Sequence, residues 1–242
     1  MSAADEETPS APLAATAAMT ARLIEAGVPR RIAGFRPGDS GSPAWSRAYA
    51  GLREGIGTGL LCCLCGGRGT GKSALASCLA GRALESGRHA KFVDAATLFM
   101  NLRATLGDKA AETEAEMIRR YVHPDLLVID DLTMPPQADF EHRATEHIIM
   151  KRFDAADRDT LLVTTAPAAG LSAALGPGIA ARLESAGSVV ACDWGSLRVR
   201  RQDIGLGGRA AASTRSGPAG PLGSRPTPRA GPSSPRSSSP GG

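Results

Sequence analysis

Between Gly66 and Ser73 the chain reads Gly-Gly-Arg-Gly-Thr-Gly-Lys-Ser. A glycine and four residues ahead of Gly71-Lys72-Ser73 is the spacing of a loop wrapped around phosphate. Glycines at 66, 69 and 71 allow backbone angles closed to other residues, so successive N–H groups can turn inward on an anion. The positive end of a following helix dipole would add to that field. Lys72 is then placed to reach the β- and γ-phosphates of a nucleotide, and the Ser73 hydroxyl to ligate Mg²⁺. The run Gly66, Gly67, Arg68, Gly69, Thr70, Gly71, Lys72, Ser73 and Ala74 is the expected nucleotide-binding set. An ordinary glycine turn is the alternative, and the flanks argue against it. Leu60–Cys65 is an apolar run of strand length, and Ala74–Ala80 has apolar residues at helical spacing without proline.

A second constellation supplies acid. Asp125-Leu126-Leu127-Val128-Ile129-Asp130-Asp131 is a continuous apolar run ending in two carboxylates, as expected of a central strand covered on both faces. Asp130 can hold Mg²⁺ and Asp131 can orient or deprotonate an attacking water. Thr160–Thr165 is a further buried strand with hydroxyls at its end. Other groupings are weaker. His142 and Glu146 lie four apart on one helix face, but no third metal ligand is evident and a solvated face reads better. Cys62-Cys63-x-Cys65 could suggest metal, yet a strand sends adjacent side chains to opposite faces. An odd count of five cysteines, mostly in core elements, suits reduced thiols.

The elements that must position these residues follow from periodicity. Helices are predicted over Ala17–Ala26, Ala44–Glu54, Ala95–Leu106, Ala110–Tyr121, Glu141–Ala155 and Ile179–Glu184. Further strands are predicted at Ala90–Asp94 and Ser188–Cys192, with loops through Pro43 and between Thr165 and Ile179. Alternating strands and helices predict a three-layer αβα sandwich on a mostly parallel five-stranded sheet. Ligands of such sheets sit beyond the carboxyl ends of the strands. The glycine loop, Asp130/Asp131 and Thr164/Thr165 all fall there.

With these motifs in hand, residues 20 to 201 resemble the AAA+ ATPases of the DnaC/IstB type, bacterial helicase loaders and transposase-partner ATPases. The resemblance rests on Ala26-Gly27-Val28-Pro29-Arg30-Arg31, the glycine loop, the strand with paired aspartates, Lys151-Arg152-Phe153 and Val163-Thr164-Thr165. It continues through Ile179-Ala180-Ala181-Arg182-Leu183 and Trp194-Gly195-Ser196-Leu197-Arg198. It implies a AAA+ P-loop core without the usual C-terminal helical lid, and ATP hydrolysis with Mg²⁺ at a junction between subunits of a homo-oligomer. Lys72 and Asp131 are then catalytic, Arg182 matches the arginine finger, and Thr165, with Thr164, matches the sensor position. Single- or double-stranded DNA and a replicative helicase or transposase are the implied partners. Two features depart from the family: Ala166 stands where Asn often follows the hydroxyl pair, and only about 25 residues precede Gly27 where loaders carry a partner-binding domain.

Composition bounds the rest. In 242 residues with 42% hydrophobic content there is room for one α/β domain and its tails. No apolar run approaches the ~18 residues of a membrane span, and the acidic start lacks a signal peptide's pattern. A cytoplasmic protein without membrane contact is expected. The predicted organisation is a disordered tail over 1–16, the ATPase domain over 17–204 and a disordered Gly/Pro/Ser/Arg-rich tail over 205–242. Five arginines beyond Gly207, unaccompanied by acid, leave the remainder of a +4 chain at −1. That tail reads either as a phosphate-attracting arm or as a spacer. Two other functions fit the motifs: a nucleotide-dependent binding module with little turnover, and a small-molecule kinase.

Overall fold

Asp159 and Arg152, both fully buried, hold the amino ends of the central strands. The strands of the sheet are β1 (Leu61–Cys65), β2 (Ala90–Asp94), β3 (Leu126–Asp130), β4 (Asp159–Val163) and β5 (Ser188–Ala191), five residues each except β5 with four. In the computed structural model, which describes residues 11–107, 110–135 and 138–197, they form one sheet in the order β2-β3-β4-β1-β5. Every pairing is parallel. The mostly parallel sheet expected from sequence is thus wholly parallel. Residues 198–242, including Arg198 and the arginine-rich tail, lie outside the described residues, as do residues 1–10.

The central strands β1, β3 and β4 are buried along their whole length and read as largely apolar runs because they are covered on both faces, whereas the edge strands β2 and β5 are partly exposed. Side chains alternate between two cores. Cys63, Cys65, Leu127, Ile129 and Leu162 face one, while Cys62, Leu64, Val128, Leu161 and Val163 face the other. The first core is closed by α5 (Ala95–Arg103), α6 (Glu114–Val122), α7 (Asp139–Asp154), α8 (Leu171–Leu175) and α9 (Pro177–Ala186). The second is closed by α4 (Lys72–Glu85) and the leading helices α1 (Ala11–Glu25), α2 (Arg30–Ala33) and α3 (Pro43–Gly55). Among the described residues no helix follows β5.

Local signals explain the boundaries. Asp94 ends β2 and caps α5, accepting from the Thr97 N–H at 2.9 Å. Thr113 and Glu116 form a reciprocal capping box that starts α6. Expected to begin at Ala110, that helix begins at Glu114 because the box sets its first turn. Helix α1 starts at Ala11, not Ala17, so residues 11–16 are helical where a disordered tail was expected. The stretch Ala11–Ala18 is rich in alanine, the best helix former, and this outweighs Pro12 in the first turn, where proline is tolerated. Helix α8 lies in the segment expected to be loop. It is too short to show a period.

At the amino ends of the strands, two buried charges replace missing backbone partners. The Asp159 carboxylate accepts from the N–H groups of Gly57, Gly59 and Leu60 at 2.6, 3.0 and 2.9 Å. The Arg152 guanidinium donates to five carbonyls, those of Tyr121, Val122, Pro124, Asp125 and Asp159, and to Thr160 Oγ1. Burial pulls its pKa down to about 10, still far above neutrality. One guanidinium therefore caps the carboxyl end of α6 and ties it to β3 and β4.

The leading segment is tied to the sheet by main chain. Phe92 N–H donates to the Ala26 carbonyl at 2.7 Å. The following Gly27 has φ +98, and a Cβ there would lie 2.1 Å from the Phe92 carbonyl oxygen. Only glycine fits so close an approach.

Candidate nucleotide site

At the carboxyl ends of the strands a cleft of about 650 Å³ opens, lined on one side by Arg68, Gly69, Gly71, Lys72, Ser73 and Ala74. Asp130, Asp131, Val163, Thr164 and Thr165 form its floor. Strand order explains the grouping: β4 lies between β1 and β3, so its threonines separate the glycine loop from the aspartates. Gly66, Gly69 and Gly71 all have positive φ, at 120°, 89° and 82°, which is the backbone freedom the sequence pattern demands.

The loop and the acidic strand meet directly. Ser73 Oγ and Asp130 Oδ1 are 2.9 Å apart although the residues are 57 positions apart in sequence. Asp130 is buried, and that burial pushes its carboxyl above the ordinary carboxylate range against the pull of the Ser73 hydrogen bond. A hydroxyl and a partly desolvated carboxylate on adjoining elements are hard oxygen donors suited to Mg²⁺, which takes one or two protein ligands and completes its shell with water and phosphate. Lys72 Nζ donates to the carbonyls of Gly66 and Gly67, both at 2.7 Å. Desolvation lowers its pKa, while the carboxylates of Asp130 and Asp131 work the other way.

Asp131 takes φ +53, a left-handed conformation that aspartate tolerates better than most residues. This turn ends β3 and leaves the Asp131 side chain exposed at the cleft beside the buried Asp130. Thr164 is fully buried and its Oγ1 accepts from the Ala166 N–H at 3.3 Å, whereas Thr165 lines the cleft. Ala166 contributes main chain: its carbonyl accepts from Gly66 N–H at 2.8 Å, and its methyl packs on the first core.

Not every expected site residue is in the cleft. Arg182, on α9, is half-buried with its guanidinium 4.7 Å from the centre of the Phe153 ring and does not line the cleft. Gly66, Gly67 and Thr70 form the loop's backbone without lining the opening. His142 has a buried Nε2 without a hydrogen-bond partner, and Glu146 is exposed. The solvated face expected for that helix therefore holds for Glu146 and not for His142. All five cysteines are buried and unpaired; burial pushes Cys62, Cys78 and Cys192 up to about 12, so they are protonated thiols and poor nucleophiles at neutral pH.

Several site residues were not found from sequence. Arg31, Ile32 and Phe35, from α2 and the turn after it, line the cleft opposite the loop. Trp45 on α3 packs edge-on to Phe35 at 5.7 Å and donates from Nε1 to the Gly71 carbonyl at 3.2 Å. Trp194 Nε1 donates to the Thr70 carbonyl at 2.7 Å, and Leu197 N–H to the Gly69 carbonyl at 2.9 Å. The signal was there in scarcity: the chain has two tryptophans, and both hold this loop.

A parallel sheet with an acid-paired glycine loop at its carboxyl edge defines a P-loop nucleotide-binding protein of the AAA+ class. Residues 59–199, more than half of the chain, match the family model of IstB-like ATP-binding proteins, and the chain belongs to that family. Among curated proteins it is similar to replicative helicase loaders DnaC of Buchnera aphidicola. It is 27% identical to that of subspecies Baizongia pistaciae over 131 residues, 54% of this chain and 53% of the relative. The match to that of subspecies Acyrthosiphon pisum is 26% identical over the same shares. The chain thus spans about half the length of these relatives. Solved structures share the fold. A DnaC helicase loader superposes with a TM-score of 0.53 at 18% identity, over 62% of this chain and 90% of that one. A primosome component from Streptococcus pyogenes serotype M3, itself described only as a candidate, gives 0.55 at 15% identity, over 74% and 98%. No helix among the described residues is long and apolar enough to cross a membrane.

Proposed function

We propose that this chain hydrolyses ATP and acts as a nucleotide-driven oligomeric switch on DNA together with a protein partner. The observation that carries the reading is the junction of Ser73 and Asp130 at 2.9 Å, which joins the phosphate loop to the acidic strand in one cleft. In that reading Gly66–Ala74 cradle the phosphates, Lys72 offsets their charge, and Ser73 with Asp130 hold Mg²⁺. The metal, when bound, would neutralise charge developing on the phosphate oxygens. Asp131, exposed beside them, positions the attacking water and accepts its proton. Thr165 offers a hydroxyl to the same water or to the terminal phosphate. Helicase loading is the role named for the curated relatives, and transposition is the other role for which the motifs fit. An ATPase domain that runs to 204 and takes in the whole of α1, so that it starts at Ala11 instead of 17, remains part of this proposal.

Position 166 favours a second reading. Its methyl faces the core and only its main chain reaches the loop, so no side-chain amide there helps to hold the water. A slow ATPase used as a binding switch is consistent with that. ATP turnover and oligomeric mass, measured together with and without single- and double-stranded DNA, separate the two. Under the first reading turnover is measurable and lost in Asp131→Asn, with ATP binding retained, while Lys72→Ala loses binding itself. Wild-type protein that binds ATP without turnover under every condition leaves the switch and removes the enzyme.

A further inference from the structure

The outward side of the phosphate loop is held by hydrogen-bond donors from α3 and from the segment that follows β5. Three successive carbonyls are involved. Gly69 accepts from Leu197 N–H at 2.9 Å and from Ser196 Oγ at 3.4 Å, Thr70 from Trp194 Nε1 at 2.7 Å, and Gly71 from Trp45 Nε1 at 3.2 Å. In a trans peptide the carbonyl and the next residue's N–H point in opposite directions. Holding these three carbonyls on one side therefore aims the N–H groups of Thr70, Gly71 and Lys72 to the other. The preceding half of the loop is held from within, since Gly66 and Gly67 carbonyls accept from Lys72 Nζ and Gly67 also from Thr70 Oγ1 at 3.2 Å.

We infer that Cys192–Leu197 is a strap that sets the aim of the phosphate-binding N–H groups, with Trp194 as its chief positioning residue. The strap leaves the end of β5 with Cys192 N–H bonded to the Cys65 carbonyl at 2.8 Å, the last residue of β1 before the loop. It then crosses the loop and brings Leu197 against it. A Cβ on Gly71 would meet Leu197 Cδ1 at 2.4 Å, and Leu197 also lines the cleft. The segment thus touches the loop's outer side and the nucleotide's side at once. Seating of the strap and binding of phosphate are coupled, because the strap holds the Gly69–Thr70 and Thr70–Gly71 peptide planes, while the Gly71 carbonyl is held by Trp45 and by the Leu75 N–H of α4 at 2.9 Å. Any partner or chain segment that lifts the strap lowers nucleotide affinity, and bound nucleotide holds the strap down. The inference rests on this cleft taking a nucleotide.

The test uses the full chain. Trp194→Phe keeps an aromatic ring and removes one N–H donor, and Leu197→Pro removes the shorter of the two bonds donated to Gly69. Each should weaken Mg·ATP and Mg·ADP alike by about three- to tenfold, the range for one hydrogen bond to a loop that carries anion charge. AMP, which lacks the phosphates the loop holds, should bind each variant as it binds wild type. In Trp45→Phe, Trp194 is the sole tryptophan, and its emission should shift on adding Mg·ADP but not AMP. Should Trp194→Phe fail to fold, Leu197→Pro and the emission of Trp45→Phe still decide. Wild-type affinity for Mg·ADP in the strap variants, or emission that is indifferent to Mg·ADP while binding occurs, overturns the strap. Wild-type protein that binds no nucleotide overturns the reading of the cleft and the strap with it.

Discussion

Asp130 carries two opposed demands. Burial pushes its carboxyl above the ordinary carboxylate range, while the Ser73 hydroxyl and the Asp131 N–H favour its ionised form. In the unfolded chain the group ionises at its ordinary value. Between that value and the raised one, the folded protein holds a proton the unfolded chain has lost, so stability falls as pH rises through this acidic window. Mg²⁺ needs the ionised form, so Mg·ATP affinity should rise with pH through the same window. Asp130→Asn should flatten both trends, as read by chemical denaturation and nucleotide titration from the ordinary carboxylate range upward. A wild-type Mg·ATP affinity independent of pH across that range would contradict the assignment. Most of the residues concerned were legible in the sequence, because a glycine loop and a strand ending in acid each declare their chemistry by spacing. The tryptophans and Leu197 were not, since they act on the loop's main chain and main-chain contacts leave no spacing pattern.

Element boundaries show the same division. The strands β1 to β4 were legible to within one or two residues, the central β1, β3 and β4 because two-sided burial makes them largely apolar runs, and the edge strand β2 as a short Ala-Lys-Phe-Val-Asp segment between helices. The edge strand β5, largely exposed along its four residues, was legible as a late apolar run. Helix α8 and the start of α1 were not, the one too short for a period and the other too uniform in alanine. Arg152 escaped for another reason: in the sequence it is one charge on a charged helix, and only the fold makes it the cap of α6. Its removal should therefore cost far more than a surface arginine. Arg152→Met fits a similar volume but leaves the carbonyls of Tyr121, Val122, Pro124, Asp125 and Asp159 short of a donor. The expected loss is about 3–5 kcal/mol in urea unfolding. Arg152→Lys should recover only part of it, because three donors on one nitrogen cannot reach a fork of carbonyls. A loss under about 1 kcal/mol for Arg152→Met would mean that water replaces the guanidinium.

At the scale of the molecule, the placement of Arg182 decides how subunits would cooperate. Its guanidinium rests on the Phe153 ring, outside the cleft of its own chain. Acting within one chain would require it to leave that ring and reach past α9. Acting on a neighbour requires only that α9 of one copy face the cleft of the next. An arginine in that role is worth on the order of 10³–10⁵ in rate and little in ground-state binding. Arg182→Ala should accordingly bind ATP as wild type does and lose turnover. Asp131→Asn should lose turnover for a different reason, in its own cleft. Mixed assemblies of the two then contain junctions with an intact Asp131 on one side and an intact Arg182 on the other, and turnover should reappear there. Its level should follow the mixing ratio and peak near equal amounts. Arg182→Lys should not substitute, since a point charge lacks the planar pair of donors that spans two phosphate oxygens. Mixed oligomers that form, as judged by mass, and yet stay inactive would place the function of Arg182 within its own chain, against Phe153.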